Sequence, residues 1–232
     1  VSEYGKTLFV VNHERRSPHR QMILMFKVHQ DSLVFVDSLM HPLLTSPNDL
    51  CFDGQHGLFI SNDSRKKGHM IEQLLFKTSY VLHVVLNTRK WTRVVDNLRY
   101  ANGVGVNNGQ LYVSAVREKG IHVYQKGDTA WMPVDTLGAF SGADNITFHD
   151  QDIYTTAHPQ ITKFVGHSRD LNKPSPGELY RVNTANGAVE RIYQDNGKLM
   201  SAPSTAFKFR DNVYVAQVFR PYLLKLPLKL DE

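Results

Sequence analysis

The chain has 232 residues, 41% of them hydrophobic and 10% aromatic, enough apolar side chain to bury a sizeable core. No run approaches the ~18 consecutive apolar residues of a membrane-spanning helix. The net charge of +5 comes from scattered basic residues with one short cluster, Arg65-Lys66-Lys67, and no nucleic-acid motif accompanies it, so nucleic acid is excluded as a partner.

Val1 already falls inside a structural segment, so the chain is expected to lack its N-terminal blades, and no signal peptide is visible. TLFVVNH, residues 7–13, reads as a strand, and further strands are expected over residues 23–28 and 32–36. SPNDLCFDGQHGLFISND follows a plan of small polar cluster, strand, short turn and second strand. Cys51, in its apolar run LCF, is the only cysteine; it excludes an internal disulfide and reads as a core residue, not a nucleophile. Residues 70–76 carry the one helical pattern, with apolar side chains at 70, 71, 74 and 75. YANGVGVNNGQLYVSAV, GADNITFHDQDIYTTAH and APSTAFKFRDNVYVAQV then repeat the earlier plan, with a further strand over 121–124. Turn signals punctuate them at Asn107-Asn108-Gly109, Asn186-Gly187 and Asp195-Asn196-Gly197.

Leu8, Leu58, Leu111, Ile153 and Val213 hold equivalent places, at spacings of 50, 53, 42 and 60 residues. Periods of that size with about four strands each mark a β-propeller. The expected fold is therefore all-β: a single propeller domain over residues 1–232 with about four blades plus the end of another.

At the start of the inner strand of successive blades stand Asn48-Asp49, Asn102 and Asp144-Asn145, with Ser204 in the fourth. In a propeller these starts ring one mouth of the channel. Any one of them reads as readily as an Asx turn. Their recurrence points instead to hard oxygen donors for Ca²⁺, which takes six to eight oxygens with little directional demand. Two glycosylation sequons occur, Asn62-Asp63-Ser64 and Asn145-Ile146-Thr147; the second is expected to be fortuitous, because its asparagine faces the channel.

LFVVNH, LLTSPNDL, ISND, YANGVGV, KGIHVYQK, ADNIT and TTAHP together resemble the paraoxonase/arylesterase (serum paraoxonase-like) lactonases. That family belongs to the six-bladed propellers that also include the gluconolactonases and regucalcin. The resemblance implies two calcium ions, a catalytic one held by Asn48, Asn102, Asp144 and Asn145 and a structural one held by Asp49. It makes His13 the catalytic base, His158 a residue of the substrate cavity or a partner of Asp144, and Asp63 an orienting group. Pro usually follows the equivalent of His13 in the family, where Glu14 stands here, and Ser64 replaces a frequent histidine. The family's first-blade acidic ligands and its principal active-site histidine have no counterpart in this chain.

The implied activity is calcium-dependent hydrolysis of lactones or aryl esters by histidine-activated water, and no G-x-S-x-G motif argues for a serine nucleophile. Phe140, Phe164 and Phe219 near the mouth lean towards lipophilic substrates, and residues 70–76 match a lid helix that packs on the propeller or touches substrate or lipid. Two alternatives stand beside this reading: a non-catalytic calcium-stabilised binding propeller, and a gluconolactonase-like sugar lactonase.

Overall fold

A computed structural model describes residues 6–14, 20–65 and 70–228; Lys66 and Lys67 of the basic cluster lie outside them. Among the described residues the strands form five sheets, each with its strands in chain order. The first has β1 (Thr7–His13), β2 (Gln21–Val28) and β3 (Leu33–Leu39). The second has β4 (Pro47–Phe52), β5 (Gly57–Asn62), then helix α1 (Met70–Leu75), β6 (Ser79–Val85) and β7 (Lys90–Leu98). The third has β8 (Ala101–Asn107), β9 (Gln110–Ala115), β10 (Lys119–Lys126) and β11 (Trp131–Ser141). The fourth has β12 (Ala143–His149), β13 (Asp152–Ala157), helix α2 (Ile161–Arg169), β14 (Gly177–Asn183) and β15 (Val189–Asp195). The fifth has β16 (Pro203–Phe209), β17 (Asn212–Gln217) and β18 (Leu224–Pro227). The chain is all-β with five blade-like sheets; the first holds three strands, more than the end of a blade.

The strand patterns follow from burial. β5 is buried at every position, and β9 and β13 at all but their first, so these strands read as runs of apolar and small residues. Outer strands such as β7 and β15 keep most positions wet and carry the charges. Between β8 and β9, Asn108 and Gly109 take φ of 49° and 75°, the two left-handed residues of a tight hairpin turn.

Packing divides the chain into two compact units, Val1–Leu111 with Gln125–Met132, and Tyr112–Tyr124 with Pro133–Glu232. The first unit centres on Phe9, Ile23, Leu39, Leu58, Ile60 and Leu82. The second has one cluster around Ile121, Leu137, Ile153 and Val182, and another around Tyr154, Leu179, Met200 and Val215.

Two expectations change. Helix α2 is absent from the sequence reading, because Thr162, Val165 and Gly166 weaken its propensity. Its anchor is tertiary: buried His167 donates from Nδ1 to the Lys173 carbonyl at 2.6 Å, and its Nε2 lies 3.3 Å from Ser201 Oγ. Phe140, expected near the mouth, is buried in the core of the second unit, stacked on Tyr180 at 4.3 Å. No described helix is long and apolar enough to cross a membrane.

Candidate functional site

The recurrent polar slot coincides with a break in strand pairing. In the first unit β4 pairs with β5 as Pro47↔Asn62 and then Leu50↔Ile60, so Asn48 and Asp49 face Ser61 alone. In the second unit β12 pairs with β13 as Ala143↔Ala157 and then Ile146↔Thr155, so Asp144 and Asn145 face Thr156 alone. In β16 the pairing jumps from Pro203↔Gln217 to Thr205↔Ala216, leaving Ser204 as the extra residue. Each is a β-bulge, which frees a residue from the ladder and re-aims its side chain.

A hydroxyl on the second strand pins the slot of the following sheet. Ser61 Oγ accepts from the Asp49 amide at 3.0 Å and donates to the Asn102 carbonyl. Ser114 Oγ donates to the Asp144 carbonyl at 2.5 Å, and Thr156 Oγ1 to the Pro203 carbonyl at 3.2 Å. No motif in the sequence marks these three residues. Their signal is positional: each is the fifth residue of its strand. Ser114→Ala should cost about 1–3 kcal/mol, because the buried Asp144 carbonyl loses its donor. Ser114→Thr, which keeps the hydroxyl as Thr156 does, should cost clearly less; equal losses in chemical denaturation would refute the role.

In the first unit, Asn48 donates from Nδ2 to Asp63 Oδ2 at 3.3 Å. The other oxygen of Asp63 accepts from Gln73 Nε2 at 2.9 Å and Ser64 Oγ at 3.1 Å. Asp63 thus orients an asparagine ligand candidate and ties it to α1. Asp49 accepts from the Val104 and Leu50 amides at 3.0 and 2.8 Å. Asn102 is 5% exposed, and its Oδ1 is buried without a hydrogen-bond partner. His13 is exposed at the end of β1, where its Nδ1 lies 2.5 Å from Gln21 Oε1.

In the second unit, His158 Nε2 lies 3.0 Å from Asp144 Oδ2, both residues being buried. The His158 ring packs on Phe164 at 4.4 Å, and Phe164 faces Phe219 at 6.1 Å. Asn145 donates from Nδ2 to Thr205 Oγ1 at 2.8 Å and Ser204 Oγ at 3.3 Å, while its Oδ1 is buried without a partner. His158 Nδ1 is likewise without one.

Among the described residues no cluster of three or more His, Cys, Asp or Glu is poised for a metal. The donor set is amide-rich, which disfavours zinc and suits a hard cation. Orphaned, buried amide oxygens on Asn102 and Asn145 are the particular fit, since such atoms cost free energy until something binds them. The first sequon is ruled out as an exposed acceptor: Asn62 is fully buried, its Oδ1 accepting from the Thr45 and Ser46 amides. Burial, helped by the Asp49 and Asp53 carboxylates, raises the Cys51 thiol well above its ordinary range, so it stays protonated and unreactive.

A family model described as Arylesterase matches residues 2–224. Serum paraoxonase/arylesterase 2 of Gallus gallus is 27% identical over 225 residues, which cover 91% of this chain and 62% of that protein. Serum paraoxonase/lactonase 3 of Homo sapiens is 26% identical over 232 residues, covering 93% and 63%. The chain spans less than two thirds of the length of these relatives. Among solved structures, a gluconolactonase from Xanthomonas campestris matches with a TM-score of 0.64 at 15% identity, over 98% of this chain and 70% of that one. A luciferin-regenerating enzyme matches with a TM-score of 0.56 at 13% identity, over 90% and 70%. At such identities the likeness speaks for the fold alone, that of a β-propeller.

Proposed function

The chain belongs to the arylesterase family, and from that premise we propose that it hydrolyses lactones or aryl esters with Ca²⁺ as its cofactor. The observation that carries the calcium reading is the pair of buried, unpartnered amide oxygens, Asn102 Oδ1 and Asn145 Oδ1. In the first unit Asn48 and Asn102 would supply oxygens to the catalytic ion and Asp49 to a structural one. In the second unit Asp144 and Asn145 would likewise offer oxygens to calcium. Bound calcium would polarise an ester carbonyl and stabilise negative charge on its oxygen. We assign the five sheets to a propeller that is six-bladed in the family.

The chain's own residues have separable roles in this reading. Asp63 takes the amide hydrogen of Asn48, which leaves the oxygen of Asn48 as the end offered to a cation. With His13 Nδ1–H donating to Gln21, Nε2 is the bare nitrogen that would take a proton from the attacking water. His158 holds one oxygen of Asp144, and with Phe164 it offers an apolar wall for an acyl chain. Leu75 and Phe76, 62% and 57% exposed, are the proposed contact with lipophilic substrate or lipid.

The test is hydrolysis of a lactone and an aryl ester by the purified chain, with and without a calcium chelator. Activity should vanish on chelation and return with added Ca²⁺. Hydrolysis that survives chelation overturns the cofactor. Calcium binding without hydrolysis favours the non-catalytic binding propeller.

A further inference from the structure

The first unit carries a cavity of about 420 Å³ whose walls include Asp53, Phe59, His83, Arg93, Lys126 and Trp131. That volume lies in the range of small-molecule sites. Asp53 follows the far end of β4, five residues beyond Asn48, or ~16 Å along an extended strand. The cavity shares no residue with the slot.

Its polar corner is built. Asp53 Oδ1 accepts from the Gln55 and Gly57 amides, both at 2.8 Å, and Oδ2 lies 2.9 Å from His83 Nε2. Burial alone would raise the Asp53 carboxyl, but His83 and the two amides outweigh it and hold it below the ordinary value. Nε2–H of His83 therefore donates to a carboxylate, and in the neutral imidazole Nδ1 is then the acceptor. Gly57 makes room for the pair: a Cβ there would sit 2.4 Å from Asp53 Oδ2, 2.6 Å from His83 Nε2 and 2.7 Å from the Val84 carbonyl.

The neighbouring walls are aromatic. His83 lies over Phe59 at 4.6 Å, and Trp131 meets Phe59 edge-on at 5.4 Å. Arg93 is committed elsewhere, paired with Asp96 and lying over the Tyr80 ring at 4.1 Å. Lys126 is exposed and has no ion-pair partner among the described residues, so it is the rim cation open to a ligand.

We infer that this cavity binds a small phenolic acid, an aromatic ring with a hydroxyl at one end and a carboxylate at the other. The ring lies against Trp131 and the Phe59–His83 corner, the hydroxyl donates to His83 Nδ1, and the carboxylate meets Lys126. Benzoate lacks the donor for His83, and phenol lacks the charge for Lys126, so each loses one of the two polar contacts.

The test uses 4-hydroxybenzoate, titrated against the whole chain by calorimetry and by Trp131 fluorescence in a Trp91→Phe background. Saturable one-site binding is expected, with benzoate and phenol each about tenfold weaker. His83→Ala should weaken 4-hydroxybenzoate about tenfold more than it weakens benzoate, which loses the ring contact alone. Lys126→Ala, on an exposed side chain that does not threaten folding, should weaken 4-hydroxybenzoate similarly, leave phenol unchanged and spare ester hydrolysis. No saturation by about 10 mM, or equal affinity for all three probes, or wild-type affinity in Lys126→Ala would overturn the inference.

Discussion

Gly142→Ala should destabilise the second unit by about 3 kcal/mol, the sum of ~1–2 for a left-handed alanine and ~1–3 for a forced contact. Gly142 takes φ of 80° just before β12, and its carbonyl accepts from the His158 amide at 2.8 Å. A Cβ would lie 2.2 Å from the His158 carbonyl oxygen, 2.7 Å from its carbon and 2.8 Å from its nitrogen. All three are backbone atoms, so no side-chain rotation relieves the clash. The strand end that carries His158 must move, and its bond to Asp144 moves with it. A fall in Tm of about 6–12 °C is expected at this chain length. Gly54→Ala is the control, since Gly54 shares the conformation, with φ of 82°, but has nothing within 4 Å of the new methyl. It should show the backbone cost alone, about 1–2 kcal/mol. Equal losses in the two variants would mean that the contact with His158 is not what matters.

Asn145→Ala should have little effect on stability without calcium and a large one with it. Without the ion, the substitution deletes a buried acceptor that nothing satisfies, and the Ser204 and Thr205 hydroxyls it releases are only half-buried. The unfolding free energy should then change by less than about 1 kcal/mol, in either direction. With the ion, the variant lacks one ligand, and its calcium affinity should fall by about 10–100-fold. Wild-type protein gains stability from a bound ligand in proportion to the logarithm of its excess over Kd. Thermal melts across a calcium titration therefore separate the cases: the wild-type Tm climbs, and that of the variant lags far behind. A variant that tracks the wild-type curve would remove Asn145 from the metal site, whatever its effect on activity.

Much of this architecture is legible in the chain because its signals are local. The Asn107-Asn108-Gly109 turn and the buried second strands can each be read within a few residues, and Met70–Leu75 shows its helical pattern alone. The bulges cannot be read that way. Whether Asn48 and Asp49 share one partner depends on the register with β5, a property of two strands together. Ser61, Ser114 and Thr156 look like ordinary strand hydroxyls until the carbonyl each one holds, 30 to 47 residues away, is known. Phe140 reads as a mouth aromatic by residue type alone, and its burial against Tyr180 is a tertiary contact that no local pattern carries. Helix α2 owes its existence to His167, a polar residue whose burial no periodicity announces.

The two-against-one pairing at Asn48-Asp49 and Asp144-Asn145 has a bearing on how such a site can change. Residues at a bulge stand outside the backbone ladder, so a change of side chain there need not disturb strand register. The scaffold acts as a socket: Ser61, Ser114 and Thr156 hold backbone groups, and the side chains set in it are free of the ladder. A carboxylate can replace an amide there, or an imidazole either of them, and the donor set is rewritten without a strand being re-registered. Ser204 is the short occupant of the same bulge position in the fifth sheet.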